Sequence, residues 1–345
     1  MSLVGLFFSC KKNQPEPPTT PEKYEEGVLV LNEGLFEQNN ASISFYDGNE
    51  TYQQVFKSEN NRGLGDTAND FEAYSVGGND YIIIAVDISS QVEIIERYTL
   101  KTVAQFPLFD GANAREPRKV LVDGTRAFVC NFDGTVAVID LITNTLITLV
   151  EVGANPDAMV LVEDRLYVAN SGGLLYPEYD STMTVINTST LEVETTFETR
   201  INASGMVLDQ EGEIYLISRG NYDDIPNALL RIDTETNTVL TSTEMEISAM
   251  TLVGDWIYFY KNDEAGIFRY NTLTEMIDPA KIVDLSTYET FFGWHYDAKS
   301  EKFYGVDANG YVNSSTIHVY SQAGTLLNSF QGGLNATDLI FNHEE

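Results

Sequence analysis

Seven times along this chain a short apolar segment ends in a polar residue, turns, and leads into a further strand pattern. The segments read "ISFYDGNETY", "VEIIERYTLKTV", "VAVIDLITNTLI", "MTVINTSTLEV", "LLRIDTETNTVL", "IFRYNTLTEM" and "IHVYSQAGTLL". Their anchors are Asp47, Glu96, Asp140, Asn187, Asp233, Asn271 and Ser321, spaced 38 to 50 residues apart. A period of that length constrains the fold strongly. Each copy must be one supersecondary unit that buries its apolar faces only against its neighbours.

Two further registers share the period. Upstream of the anchors lie "GVLVLN", "YIIIAVD", "RAFVCN", "RLYVAN", "EIYLIS", "WIYFYK" and "KFYGVD". Before these come "NDFEAYSV", "EPRKVLV", "NPDAMVLV", "NASGMVL", "EISAMTLV", "FFGWHYD" and "NATDLIF". Together with the strand after each turn, every unit has four short strands. The chain is therefore expected to be all-β, a seven-bladed β-propeller with four strands per blade. The last segment, "NATDLIF", is a first strand with no blade of its own, and the first blade, from Gly27, lacks one. The C-terminal strand is expected to pair in the N-terminal blade, closing the ring and removing a free edge. A parallel β-helix needs shorter repeats, and a sandwich shows no sevenfold register. A 43% hydrophobic content with abundant Tyr and Phe supplies the core and favours strands.

The propeller is assigned to residues 27–345. Residues 1–10 read as a truncated signal with a lipobox: an apolar run from Leu3 to Phe8, then Ser9, Cys10 and a polar stretch. Cys10 is the expected lipidation site; an ordinary disordered N-terminus is the alternative. Residues 11–26, "KKNQPEPPTTPEKYEE", read as a flexible tether. Cys130 lies in an apolar strand pattern and reads as a buried core thiol.

Lys and Arg number 20 against 52 Asp and Glu, a net charge of −32, which disfavours nucleic acid as a partner. It reads as a solubility feature, or as an acidic rim around a cationic ligand.

In a propeller the loops after each second strand and before each first strand share one face. Here those loops vary most, and long loops on a rigid scaffold are where binding concentrates. They carry Phe36, Phe132, Tyr176, Tyr179, Tyr222 and Tyr311, stiff aromatic contact area for a flat ligand. Asn32, Asp87, Asn131, Asn170 and Asp307 end second strands and would add orienting hydrogen bonds, unless they merely satisfy turns. Arg219 and Lys261 are the cations expected on that face. Trp294 and His295 begin a first strand near the channel, where Trp294 is a plug or a ligand platform. His318 reads as structural, and His343 lies in the tail. Catalytic zinc and nucleophile motifs such as H-E-x-x-H, C-x-x-C and G-x-S-x-G are absent. "NYDDIPN" and "DANGYVN" crowd oxygen ligands without the EF-hand pattern; they read as plain turns, with calcium sites the alternative. No metal, cofactor or catalytic residue is assigned.

"RLYVANS" with "NPDAMVLV" is similar to the YVTN-type propellers. The last blade resembles the C-terminal repeats of a Bacteroidetes propeller lipoprotein family, with Asp307, Tyr311, Val319, Tyr320, Gly324 and Asn335 in the matching places. Ala336 stands where many relatives carry Pro. Relatives of this kind include the cobalamin-capturing surface lipoproteins that sit over an outer-membrane transporter. The resemblance implies a lipid-anchored propeller of the bacterial outer membrane, on its exterior or periplasmic side, with a ligand site on one face; the absent catalytic motifs add the expectation of a non-catalytic protein, taken to be a monomer. Its ligand would be a small-molecule nutrient such as a corrinoid, an inference that rests on family analogy. The alternatives are a protein-interaction scaffold of the cell envelope and, less favoured, a propeller lactonase or lyase.

Overall fold

The computed structural model describes residues 23–343. The lipobox with Cys10 and most of the tether lie outside these residues. Seven four-stranded antiparallel sheets follow one another around a ring. Six blades are continuous in sequence. Blade 1 is composite: Gly27–Asn32, Ser42–Tyr46 and Thr51–Tyr52 are joined by Ala336–Asn342, which pairs antiparallel with Gly27–Asn32. The closure expected from the sequence is thus the one observed.

The innermost strands are Ala336–Asn342 in blade 1, Ala68–Val76 in blade 2, Pro117–Asp123 in blade 3, Pro156–Val162 in blade 4, Ala203–Leu208 in blade 5, Ile247–Val253 in blade 6 and Phe291–Asp297 in blade 7. Each contacts the next around the ring, and blade 7 meets blade 1.

The core is divided into seven apolar clusters, one at each interface between successive blades. This explains why the second strands read as nearly unbroken apolar runs. Strand pleat sends alternate side chains to opposite faces, and both faces of a blade are covered. In blade 2, Ile82, Ile84 and Val86 pack toward blade 1, while Ile83 and Ala85 pack toward blade 3. The outermost strands face solvent and are correspondingly polar, as in Thr238–Glu244. Cys130 is fully buried between blades 3 and 4, and burial pushes its thiol up to about 12.

The repeat anchors shape the turns between third and fourth strands. Asp47 Oδ1 accepts from the amides of Asn49 and Glu50, Asp140 Oδ1 from Ile142 and Thr143, and Asp233 Oδ1 from Glu235 and Thr236. The backbone donors at Asp47 and Asp140, and at Asp233 first the Thr236 hydroxyl and then the amides, hold all three carboxyls below the ordinary range. Blade 1 has only a short fourth strand, and the helix Val55–Asn60 follows it, burying Val55 and Phe56. Packing extends upstream of Gly27. Tyr24 is buried edge-on against Phe45, and its carbonyl accepts from Asn342 Nδ2 in the closing strand.

Candidate ligand-binding site

One irregularity recurs in every blade. Where the innermost strand begins, it carries one residue more than its partner. The extra residue is Thr337, Asn69, Arg118, Asp157, Ser248 or Phe292, and Ser204–Gly205 in blade 5. A β-bulge bends its strand and re-aims a side chain. Repeated seven times at one level, it builds a ring of side chains at one mouth of the channel. All seven positions line a central cavity of about 670 Å³, a volume suited to a small organic ligand.

The cavity has two unlike walls. On blades 2 to 5 the groups are ionic. Arg118 Nη1 donates to Asp87 Oδ2 at 3.0 Å, and Asn69 Nδ2 donates to the same oxygen at 2.9 Å. Asp157 lies 3.6 Å from Arg118 Nε and 3.9 Å from Arg219 Nη1. The Arg118 guanidinium also lies over the Phe132 ring, 4.5 Å from its centre. One residue further in, Lys119 Nζ donates to Asp70 Oδ1 at 3.0 Å. Burial pushes the Asp70 carboxyl up to about 6, against the pull of Lys119. Glu72, lower on the same strand, is raised by burial to about 7 although it accepts from the Val122 amide. His295 is held down at about 4 by burial and then by Lys119. On blades 4 to 7 the wall is apolar: Met159, Met206, Met250 and Trp294, with Phe292 above them.

The structure distributes the sequence-predicted residues among several places. Arg219 and Trp294 line the cavity, and Asp87 and Phe132 flank it through Arg118. Trp294 also stacks on Phe303, so the ring is at once packed and lumen-facing. Tyr311 meets Phe292 edge-on at the mouth. Tyr176, Tyr179 and Tyr222 form an aromatic row on the loops of blades 4 and 5, with centroids 6.0 and 6.4 Å apart. Phe36 stands exposed on the blade 1 loop. Lys261 turns to Asp263 and Glu264 in its own loop. Asn32, Asn131 and Asn170 are fully buried and donate to hydroxyls of the third strand in their own blades: Ser42 and Ser44, Thr135, and Thr182 and Thr184. Asp307 accepts from the amides of Glu289 and Thr290 and shapes the loop entering blade 7.

Two rim aromatics carry backbone strain. Tyr222 and Tyr311 have φ of 60° and 65°, a left-handed conformation that is a genuine outlier for a bulky residue.

Sequence reading singled out few of the mouth residues. Their signal was present in the first-strand register, where "AND", "PRK", "PDA", "ASG", "ISA", "FFG" and "ATD" align. The middle letter of each triplet lies at the bulge. Among the described residues, no three His, Cys, Asp or Glu side chains converge as a metal-ligating set.

The profile of the family described as "Domain of unknown function (DUF5074)" matches residues 26–323. No curated protein matches the chain. Among solved structures, a quinonprotein alcohol dehydrogenase-like protein from Bacteroides thetaiotaomicron is similar over 93% of this chain and 79% of its own, at 15% identity and a TM-score of 0.64. A functionally unknown protein from Desulfotomaculum acetoxidans is similar over 93% of this chain and 100% of its own, at 12% identity and a TM-score of 0.63. BamB from Moraxella catarrhalis is similar over 88% and 82%, at 14% identity and a TM-score of 0.53. At these identities the likeness is one of fold.

Proposed function

The chain belongs to the DUF5074 family, and on that footing we propose that it is a non-catalytic ligand-binding lipoprotein of the bacterial cell envelope. In this reading it captures a small nutrient at the bulge-lined mouth of the propeller and passes it to an outer-membrane transporter. The observation that carries the reading is the ring of seven bulges, which spends one irregularity per blade on aiming side chains at a single opening. Tyr311, half exposed and edge-on to the lining residue Phe292, supports it. A corrinoid is the ligand class proposed: its flat ring suits the rim aromatics, and its amide edge suits the alternating donors and acceptors of Arg118, Asn69 and Asp87. The lipid anchor at Cys10 and the Bacteroidetes origin belong to the same reading and rest on the sequence resemblance.

The test is size exclusion of the protein with cobalamin and with cobinamide, reading corrin absorbance. Co-elution at one ligand per chain supports corrinoid capture. Absence of both at micromolar concentration removes that ligand class.

A second reading has its own observation. Leu174, Leu175, Tyr176 and Tyr222 are all exposed on neighbouring loops of blades 4 and 5. Exposed tyrosines of this kind also serve as anchors for a protein partner, with the leucines adding apolar area around them.

A further inference from the structure

The ion pairs of the cavity are oriented, and their orientation carries an inference about charge. In each pair the cation is the more accessible partner. The side chains of Lys119 and Arg219 are each 40% exposed and that of Arg118 26%, whereas Asp70, Asp157 and Asp87 are 13%, 11% and 6% exposed. Asp70 and Asp157 line the cavity as well, but the cations are the more exposed partners there. This happens in a chain of net charge −32 that has only 20 Lys and Arg to place. Glu33 also lines the cavity, and burial holds its carboxyl above the ordinary range.

Two of these cations keep donors to offer. The carboxylate that Arg219 approaches is 3.9 Å away, beyond hydrogen-bond reach. Lys119 gives Asp70 one bond at 3.0 Å, and an ammonium has three donors. Across the cavity, three of the chain's seven methionines form an arc with Trp294. Methionine adapts to irregular apolar shapes and packs well on aromatic groups. The Trp294 indole N–H is buried without a hydrogen-bond partner. Low-dielectric walls focus the field of the cationic heads.

We infer that the central cavity is a binding site for an amphipathic organic anion, its charged group held by Arg219 and Lys119 and its apolar body lying on Met159, Met206, Met250 and Trp294. A guanidinium fork takes a carboxylate, sulfonate or phosphate with two parallel bonds. The Asp residues paired with the cations limit the cost of burying them. The site occupies the same bulge-lined cavity and rests on the reading of that cavity as a binding site, but it does not require the ligand to be a corrinoid.

The test pairs two fluorescent probes of nearly identical apolar body, anionic 8-anilinonaphthalene-1-sulfonate and neutral N-phenyl-1-naphthylamine, titrated into the full chain expressed without lipidation. The expected result is one sulfonate probe per chain, weakened by salt. Arg219→Gln should then weaken the sulfonate probe at least tenfold and change the neutral probe less than twofold. Met206→Ala should weaken both. Equal affinity for the two probes, no binding of the sulfonate, or an unchanged affinity in Arg219→Gln would overturn the inference. So would an equal loss in Tyr222→Ala, which would move the probe to the rim. Competition in the unmutated protein decides the matter even if a variant fails to fold: octanoate should displace the sulfonate probe and 1-octanol should not. Octanol competing as well as octanoate would sink the anion site. Failure of cobalamin and cobinamide to co-elute, with octanoate displacing the probe, would remove the corrinoid and leave the anion site in place.

Discussion

Arg118 and Asp157 are the bulge residues of adjacent inner strands, and Arg118 Nε lies 3.6 Å from Asp157 Oδ1 across the mouth of the channel. Arg219 approaches the other oxygen of the same carboxylate. One acid therefore restrains two cations. Its removal leaves Arg118 its bond to Asp87 and gives both guanidinium groups to the lumen. Asp157→Asn is expected to raise affinity for 8-anilinonaphthalene-1-sulfonate about tenfold, ~1.4 kcal/mol. A fluorescence titration at low salt checks this; lower affinity than the unmutated protein would mean that the carboxylate is needed to position the cations.

Tyr222 separates function from stability. Its side chain is 70% exposed and its φ is 60°. Glycine relieves left-handed strain of about 1–2 kcal/mol and costs about 0.5–1 kcal/mol in unfolded-chain entropy. Tyr222→Gly is expected to be as stable as the parent or slightly more so in urea unfolding. Capture of the mouth ligand should weaken at least tenfold by corrin absorbance titration. An unchanged affinity would remove Tyr222 from the site.

The raised carboxyl of Glu72 makes a pH prediction with a definite sign. Its ordinary value is 4.5 and burial lifts it to about 7 in the folded protein. Between those values the folded state holds more protons than the unfolded state, so this group's contribution falls as pH rises from about 4.5 to 7. Glu72→Gln cannot ionise and keeps an acceptor for the Val122 amide. It should melt close to the parent at pH 4.5 and progressively above it towards pH 8. The depressed His295 acts oppositely between about 4 and 6.5, stabilising the folded state as pH rises, and it is present in both proteins. Parallel melting curves at all pH values would refute the assignment.

Glu93 is completely buried, and Arg62 lies 2.5 Å from it, with the Thr102 hydroxyl donating to the same oxygen. Arg62→Met keeps most of the apolar stem but leaves a buried carboxylate without its cation. Because Arg62 is itself partly exposed, the expected loss is about 1–3 kcal/mol. Chemical denaturation should show most of this recovered in the double variant Arg62→Met, Glu93→Gln.

The misplacement of Asn32, Asn131 and Asn170 shows where sequence reading of the site stops. Each ends a second strand on the loop-rich face, which places its backbone beside the mouth. Strand pleat then turns its side chain into the blade, where third-strand hydroxyls receive it. Asn32 Oδ1 also accepts from the Gly333 amide at 2.7 Å, joining the first strand to the last blade. A polar residue at a strand end carries no mark in the sequence of which side it takes.

The sequence by itself determined the blade count, the four-stranded unit and the closure by the C-terminal strand. Repetition turns weak single-strand signals into a strong one, and an unpaired strand at each end of the chain has only the other to meet. It also determined the turns, because Asp and Asn bind turn amides locally, as Asp47, Asp140 and Asp233 do. Only the tertiary structure decided the site. A bulge shifts pairing by a single residue, too little to disturb the apolar pattern, yet it redirects Asn69, Arg118, Asp157 and Phe292 into one opening. Which of the 20 cations and seven methionines face that opening depends on seven strands meeting around an axis, and those strands are far apart along the chain.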